Sequence, residues 1–426
     1  MLSKPNQAPA LRAYLTLETV LSLAFALAYT LQGLYFVQSA HLTPFQLLLV
    51  GAVLEGSAFM LEVPTGVIAD LYSRRLSVVL GCLFLGCAML LVGSFPTFTV
   101  IAAAQLVSAL GYTCLSGAQE AWLADELGEE RLGPLLLLGG QYGRVAGIVG
   151  VLAAAGLSLL GLGVPVLVGG GLLLGLSLYL AVRMPEDGFA PQPHEEGGRW
   201  TAFTDTLSAG VRTIRTSRLL GLLVVSALLY GASTEAFDRL SEYHLLRDVG
   251  LPGGPSAMSW PPAFWFVALS LAGMLLGLIV TEPLRRRFGS SDAASSAPLS
   301  GRSSGRILSV LTALSLLCML AFAFVPNFWW AATALTGLGV LRGLYEPLYS
   351  AWLNVGLDSR HRATVGSMAA QADALGQVSF GPLFGLAGNV WSVPTALALA
   401  ALVRLPTLVL LRLGGRTTPA EPQKLT

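Results

Sequence analysis

Nine charged side chains within otherwise long and apolar stretches of this chain are candidates for chemistry. They are Glu55, Glu62, Glu120, Arg144, Glu235, Asp238, Arg342, Glu346 and Asp373. A charged side chain at the centre of a lipid bilayer costs at least about 2.5–3.5 kcal/mol, so each one needs a partner, a water-filled cavity or a function. A carboxyl group in such a place can take up a proton on one side of a membrane and release it on the other.

Glu55 and Glu62 are the first candidates for proton coupling. They are seven residues apart in one apolar segment, so they share a face of a helix. Arg144 and Asp373 complete the predicted coupling set, because each lies near the middle of its own apolar segment. The alternative is that Glu55 and Arg144 form a permanent ion pair with no part in proton transfer.

A second set of polar residues is predicted to line a central substrate cavity: Gln32, Tyr35, Gln141, Arg342, Glu346 and Gln371. Arg342 and Glu346 are four residues apart, so the default expectation is an ion pair within one helix. Asp373 competes for Arg342, and the resulting cluster either binds a charged substrate or serves packing alone. Glu235 and Asp238 are expected in a solvated cluster at the outer end of their helix.

The composition indicates a membrane protein, since 54% of the residues are hydrophobic and only 12% are charged. A soluble domain averages roughly 25% charged residues. Crossing the hydrocarbon core takes about 20 apolar residues in a helix. Twelve such segments are predicted, near 14–38, 44–69, 76–95, 98–124, 132–158, 162–183, 217–242, 260–283, 306–325, 328–354, 362–388 and 390–412. An all-α polytopic membrane protein is therefore expected, and most segments have no polar face that a soluble helix would need.

Basic residues cluster in the connections that follow even-numbered segments. These connections contain Arg74 and Arg75, residues 285–287, and Arg360 and Arg362. Positive charge concentrates on the cytoplasmic side of membrane proteins, so both termini are predicted to be cytoplasmic. The expected location is the cytoplasmic (inner) membrane, and the N-terminal residues lack the cleavage site of a secretory signal.

The segments divide into two six-helix bundles, at 1–183 and 217–412, with a cytoplasmic tail at 413–426. A polar linker at 184–216 joins them; its later part is either an amphipathic helix on the inner leaflet or a solvated connection. The halves are related, because Ala121-Trp-Leu and Gln141 return as Ala351-Trp-Leu and Gln371, 230 residues later. Parallel repeats of this kind are typical of rocking, alternating-access transporters.

One motif follows the second segment, where Gly66 precedes Asp70 and then the basic pair Arg74 and Arg75. This pattern resembles the loop 2–3 signature of the major facilitator superfamily. The segment count, the duplication and the long central linker extend the resemblance over the whole chain. The surrounding Pro-Thr-Gly-x-x-Ala-Asp sequence, and Arg362 at the start of segment eleven, resemble bacterial permeases of the drug-efflux type.

The resemblance implies the major facilitator fold, with six helices in each half, and a conformational latch. The latch would comprise Gly66, Asp70, Arg74, Arg75, Asp125, Glu126 and Arg362. Asp70 is expected to face the positive end of segment eleven, and Arg74 or Arg75 to pair with Asp125 or Glu126. The alternative is that the two arginines only set topology.

We predict a secondary transporter that moves a small molecule by alternating access, through proton-coupled efflux of a drug-like or amphiphilic compound. Uptake symport of a sugar, organic acid or other metabolite is one alternative, and a non-transporting lipid-handling or sensing protein on the same fold is another. The sequence contains no phosphate-binding loop or HExxH motif, and its one Gly-x-Ser-x-Gly match, Gly301–Gly305, lies in a Ser-rich connection, so neither an enzyme nor a cofactor is predicted. Protons, the lipid bilayer and the substrate are the expected partners of a monomer, and the net charge of +1 gives no attraction to nucleic acid.

Overall fold

The computed structural model describes residues 7–189, 217–253, 261–288, 301–354 and 359–417, and all regular structure in these ranges is helical. The first half contains α1 (Gln7–Tyr29), α2 (Gln32–Gln38), α3 (Pro44–Leu71), α4 (Arg74–Ser94), α5 (Phe98–Leu115), α6 (Ala118–Leu127), α7 (Glu129–Ser158) and α8 (Val164–Arg183). The second half contains α9 (Arg218–His244) with a π-helical turn at Leu245–Val249, α10 (Pro262–Phe288), α11 (Gly301–Phe324), α12 (Phe328–Leu353), α13 (Ser359–Val390), α14 (Val393–Val403) and α15 (Thr407–Thr417).

Ten stretches within these described ranges are long and apolar enough to cross a membrane. α12 and α13, with 26 and 32 residues, are also long enough, but polar and charged residues interrupt their apolar surface. These two helices complete a set of twelve membrane-crossing segments. The predicted all-α polytopic fold is confirmed, and the two most polar segments are the ones that carry Arg342, Glu346 and Asp373.

The chain forms two compact units. The first comprises Met1–Gln46, Val53–Glu196 and Trp260–Ser270, and the second comprises Leu47–Ala52, Gly197–Ser259 and Leu271–Thr426. The predicted amphipathic part of the linker and most of the predicted tail fall at 190–216 and 418–426, which lie outside the described residues.

Three membrane segments that the hydropathy predicts as continuous are each built from two helices. α1 and α2 are separated at Thr30–Leu31, α5 and α6 at Ser116–Gly117, and α14 and α15 at 404–406. Gly117 adopts a φ of +73°, a conformation that side chains with a Cβ rarely tolerate. Pro406 has no backbone N–H to donate, so it ends the regular hydrogen bonding of the last segment.

Glycines allow close helix packing in the first unit, where α4 contacts both α5 and α8. A Cβ added to Gly86 would lie 3.0 Å from the carbonyl oxygen of Gly170, and a Cβ on Gly81 would lie 3.0 Å from that of Gly111. Small residues at such crossings let helix backbones approach, which is the main source of packing energy between helices in lipid. In the second unit the core around Leu223, Leu308 and Trp352 joins α9, α11 and α12.

Candidate functional site

A cavity of about 310 Å³ lies within the second unit, between α9, α12 and α13. Tyr230 on α9 and Tyr345 and Tyr349 on α12 form its aromatic wall. Tyr345 and Tyr349 are four residues apart, so they project from one face of their helix. The ring centroids of Tyr230 and Tyr345 are 5.3 Å apart and those of Tyr345 and Tyr349 are 5.7 Å apart, with interplanar angles of 12° and 14°. The three rings make this side of the cavity aromatic. We call this site the tyrosine cavity.

Two carboxylates, Glu346 and Asp373, line the tyrosine cavity. The hydroxyl of Tyr230 donates a hydrogen bond to Glu346 Oε1 at 3.2 Å. Gln377 Nε2 donates to Asp373 Oδ2 at 2.8 Å. Each acid is therefore oriented by a neutral donor, and each can accept a proton or contact a cationic group of a ligand.

Asp373 is held against α9 by a close approach of two helices. A Cβ added to Gly231 would lie 2.1 Å from the backbone oxygen of Asp373 and 2.8 Å from its Oδ1. A Cβ added to Gly376, three residues further on, would lie 2.1 Å from the backbone oxygen of Leu228. The two glycines thus let α13 bring the carboxylate next to the tyrosine wall.

Arg342 does not pair with Glu346, so the expected ion pair within one helix is wrong. Arg342 Nη1 instead donates to Asp238 Oδ1 on α9 at 2.5 Å. Glu346 instead accepts a hydrogen bond from Tyr230 on the neighbouring helix. An ion pair between residues four apart on one helix is weak, so a contact with another helix can replace it. Asp373 likewise has Gln377 as a hydrogen-bond donor.

Of the two acids that the sequence predicts in a solvated cluster at the end of α9, Asp238 is exposed and Glu235 is buried. The side chain of Glu235 is only 5% exposed and accepts a hydrogen bond from Arg239 Nε at 3.0 Å. Asp238 remains 53% exposed while it binds the guanidinium of Arg342. Asp238 therefore belongs to the charge network of α12, and Glu235 to a buried pair on its own helix.

Arg404 is the residue behind the tyrosine wall that the sequence analysis overlooks. It lies at the break between α14 and α15 and has no exposed surface. Its Cζ is 4.6 Å from the ring centroid of Tyr230 and 5.3 Å from that of Tyr345, which are cation–π distances. Its position within an otherwise apolar run, two residues before Pro406, is the signal that could have found it.

The remaining members of the predicted coupling set lie in the first unit. Glu55 is half-buried and Glu62 is exposed, both on α3. Arg144 on α7 is half-buried, and within the described part of the chain it makes no hydrogen bond or ion pair. The structure therefore gives no support to a permanent pair between Glu55 and Arg144.

The other predicted cavity residues are spread over both units. Gln32 is half-buried on α2, Gln141 is exposed on α7 and Gln371 is half-buried on α13. Tyr35 is only 2% exposed, and its hydroxyl donates to the carbonyl oxygen of Val92 at 2.7 Å. Tyr35 thus joins α2 to α4. It packs inside the first unit and does not line a cavity as the sequence predicts.

The predicted latch residues meet in part. Arg74 Nη1 donates to Asp125 Oδ2 and, at 2.6 Å, to the carbonyl oxygen of Ala121. Gly66 is half-buried on α3, and a Cβ added to it would meet nothing within 4 Å. The side chains of Asp70 and Arg362, on α3 and α13, lie outside the described part of the structure.

Glu186 is a further member of this network that the motif does not contain. Its carboxylate accepts hydrogen bonds from Ser73 Oγ at 2.6 Å and from the backbone N–H of Arg75 at 2.9 Å. The predicted latch acid Glu126 accepts from the backbone N–H of Gly188 at 2.7 Å. Arg75 donates to the carbonyl oxygen of Ala181. The residues after α8 are therefore bound to the start of α4 and the end of α6.

The family model described as Major Facilitator Superfamily matches residues 15–382 of this sequence. The chain belongs to the Major Facilitator Superfamily. A protein of Bacillus subtilis (strain 168) described as "Uncharacterized MFS-type transporter YxaM" is 22% identical over 370 residues, and the match covers 86% of each chain.

Solved structures resemble this major facilitator in fold. A crystal structure of a variant of the nucleoside transporter NupG superimposes with a TM-score of 0.76 at 13% identity, over 95% of this chain and 99% of the other. A POT family transporter in complex with a thioalcohol-conjugated peptide gives a TM-score of 0.73 at 13% identity, over 96% of each chain. This major facilitator is therefore a multi-pass membrane transporter, whose family and fold are those of transporters rather than enzymes.

One acid of this major facilitator was missed although it lies within the first predicted segment. Glu18 on α1 accepts a hydrogen bond from Gln119 on α6, and Tyr14 bonds to the same carboxylate. Its position inside an apolar segment was a sufficient signal. No group of three or more His, Cys, Asp and Glu side chains that could hold a metal ion occurs among the residues that the structure describes.

Replacing Arg74 by glutamine should destabilise this major facilitator, because it leaves the partly buried carboxylate of Asp125 without its cation. We expect a loss of about 1–3 kcal/mol in the free energy of unfolding. The midpoint of thermal unfolding of the protein purified in detergent would measure it. Arg183→Gln removes the same charge from an exposed position at the end of α8 and should change stability by less than about 0.5 kcal/mol. Equal midpoints for the two variants would contradict a stabilising role for the pair.

Proposed function

We propose that this major facilitator exports a small amphiphilic compound in exchange for protons, and that the tyrosine cavity is its substrate site. The observation that carries the proposal is the pairing of three stacked tyrosines with two carboxylates in one cavity. The stacked rings suit the flat apolar body of an amphiphile, and the carboxylates suit both protons and polar groups of the ligand. A volume of about 310 Å³ is at the lower end of the range for small-molecule sites.

Proton coupling rests on the two acids of the cavity. Glu346 and Asp373 each accept a hydrogen bond from a neutral side chain, Tyr230 and Gln377 respectively, and each can take up a proton in this place. A proton and a substrate that need the same carboxylates exclude each other, which is the basis of exchange. Glu55 and Glu62 stay in the proposal as acids of the first half that carry protons, with Arg144 as a basic group at similar depth.

Alternating access completes the proposal. In this scheme the Arg74–Asp125 pair, with Asp70 and Arg362, stabilises one of two conformations, and the cavity opens to each side of the membrane in turn. The arginine-rich connections support a cytoplasmic location of both termini, and in this proposal the protein acts as a monomer in the cytoplasmic membrane.

Uptake by proton symport is the second candidate. The solved structures that resemble this chain include a nucleoside transporter and a POT family transporter in complex with a peptide, which favours a metabolite as the substrate. The same cavity would then bind substrate and proton together instead of in turn. The relation between proton and substrate binding therefore separates the two candidates.

Everted membrane vesicles with an acidic interior test the proposal. Flat amphiphiles such as ethidium, added outside, should enter in exchange for protons, so a pH-sensitive dye should report collapse of the gradient. Vesicles without the protein are the control, and Glu55→Gln and Glu62→Gln test the acids of the first half. No collapse with any amphiphile added outside, together with collapse when a metabolite loaded inside the vesicles leaves with protons, would replace export by symport.

A further inference from the structure

In the second unit, α11 and α15 pack closely and run in opposite directions. A Cβ added to Gly305 of α11 would lie 2.6 Å from the backbone oxygen of Leu411 and 3.0 Å from the Cα of Gly415. One turn further along α11, Ser309 Oγ lies 3.5 Å from the backbone oxygen of Leu408. Residue numbers therefore rise along α11 where they fall along α15, so the start of α11 lies beside the end of α15.

Each of these two helices has one exposed stripe that is basic at one end and apolar along the rest. On α11 the stripe begins with two arginines and continues with apolar side chains: Arg302, Arg306, Val310, Leu314 and Leu317. On α15 the order is reversed, and the stripe consists of Val409, Arg412 and Arg416. Residues three or four apart share a face of a helix, so each set is continuous. All four arginines are exposed, and neither helix contains an aspartate or a glutamate.

The two stripes face the same side of the helix pair. On α11, Arg306 comes directly after the contact residue Gly305. On α15, Arg412 comes directly after the contact residue Leu411. A step of one residue is a rotation of about 100° around the helix axis. Because the helices are antiparallel, these rotations carry both stripes to the same side. The four arginines thus lie at one end of a shared surface, and apolar side chains of both helices continue from them.

We propose that this surface binds an anionic phospholipid, with the phosphate among the four arginines and the acyl chains along the apolar side chains. Arginine binds phosphate through its charge and through paired hydrogen bonds. The side chains of Val310 and Val409 are 50% and 59% exposed, so they are available to acyl chains. The proposed orientation places the arginines at the inner leaflet, where anionic lipids are enriched. A soluble phosphate compound would match only the arginines and not the apolar part of the surface.

The arrangement of the four arginines differs from what membrane topology alone requires. Positive charge that only sets topology needs to lie on the cytoplasmic side, on any face of a helix. Here the arginines lie on the faces that also carry exposed apolar side chains, and they come from two helices far apart in the sequence. The close approach at Gly305 brings the two faces together. This match of charge and apolar surface is the shape of a phospholipid.

Native mass spectrometry of the protein purified in detergent tests the proposal. The two probes are dioleoyl-phosphatidylglycerol and dioleoyl-phosphatidylcholine, which have the same acyl chains and differ in the net charge of the headgroup. Wild-type protein should bind its first phosphatidylglycerol molecule at least about tenfold more tightly than phosphatidylcholine. Glycerol phosphate carries the phosphate without acyl chains, so at the same concentration it should not displace the bound phosphatidylglycerol.

Two double variants complete the design. Arg306→Gln combined with Arg412→Gln removes one arginine from each helix and should reduce the preference for phosphatidylglycerol to less than about threefold. Arg12→Gln combined with Arg183→Gln is the matched control, because it removes two exposed arginines from the first unit and should keep the wild-type preference. All four side chains are exposed, so both variants should fold, and the midpoint of thermal unfolding without added lipid would verify it.

Equal affinities of the wild-type protein for the two lipids would overturn the inference, whether or not the variants fold. An equal loss of preference in both double variants would also overturn it, because the attraction would then belong to positive charge anywhere on the protein. Displacement of phosphatidylglycerol by glycerol phosphate would assign the arginines to a soluble phosphate compound instead of a lipid. Lipid binding is measured without transport, so a failure of proton exchange in vesicles would leave this site standing.

Discussion

Replacing Asp373 by asparagine is expected to lower proton-coupled exchange by at least about tenfold, the effect of a barrier raised by about 1.4 kcal/mol or more. Asparagine keeps an oxygen that can accept the hydrogen bond from Gln377, so the local packing should survive. It can neither ionise nor carry a proton, so the cavity loses one of its two exchangeable acids. The initial rate of gradient collapse in everted vesicles, divided by the amount of protein in the membrane, would measure the effect.

Asp248→Asn is the matched control for this variant. It makes the same chemical change at the π-helical turn after α9, where Asp248 bonds to His244 outside the tyrosine cavity. Its exchange rate should stay within about twofold of the wild type, since surface changes away from a site have small effects. Normal exchange by Asp373→Asn would exclude this residue from proton coupling.

Replacing Gly376 by alanine is expected to destabilise the second unit by about 1–3 kcal/mol or more, because a new Cβ would overlap the backbone of α9. The overlap is with the carbonyl oxygen of Leu228, at 2.1 Å, and with the nitrogen of Ala232, at 2.8 Å. Backbone atoms cannot rotate away, so the two helices must separate. A lower midpoint of thermal unfolding and a smaller yield of folded protein in detergent are the expected results.

Gly339→Ala provides the contrast within the neighbouring helix α12. A Cβ there would meet nothing within 4 Å, and alanine favours a helix over glycine by roughly 1 kcal/mol. We expect this variant to be as stable as the wild type or more stable. If both alanine variants unfold at the same temperature, the close approach of α9 and α13 is not required for stability.

The membrane segments were predictable from hydropathy because each must bury its own backbone polar groups in lipid. The loop motif likewise pointed to Arg74 and Asp125, which the structure brings together. The partners of Arg342 were not predictable, since spacing along α12 favours Glu346 but the contact is made across helices with Asp238. Spacing along the sequence predicts which residues are neighbours on one helix, but it does not predict which face of the adjacent helix is turned toward them.

The tyrosine cavity could not be predicted from the sequence for the same reason. Tyr345 and Tyr349 share a face by their spacing, but Tyr230 joins their stack from another helix. Its position follows from how closely α9 and α13 approach at Gly231 and Gly376. Hydropathy also treats residues 390–412 as one run, which hides the break at Pro406 and the arginine beside it.

The divided last segment has a consequence for synthesis of the chain. α14 and α15 have 11 residues each, and 11 helical residues reach only about 16 Å, half the thickness of the hydrocarbon core. With an arginine between them, neither piece can enter lipid stably by itself. We therefore expect this segment to insert more readily once Tyr230 and Tyr345 are in place, because their rings lie at cation–π distances from Arg404.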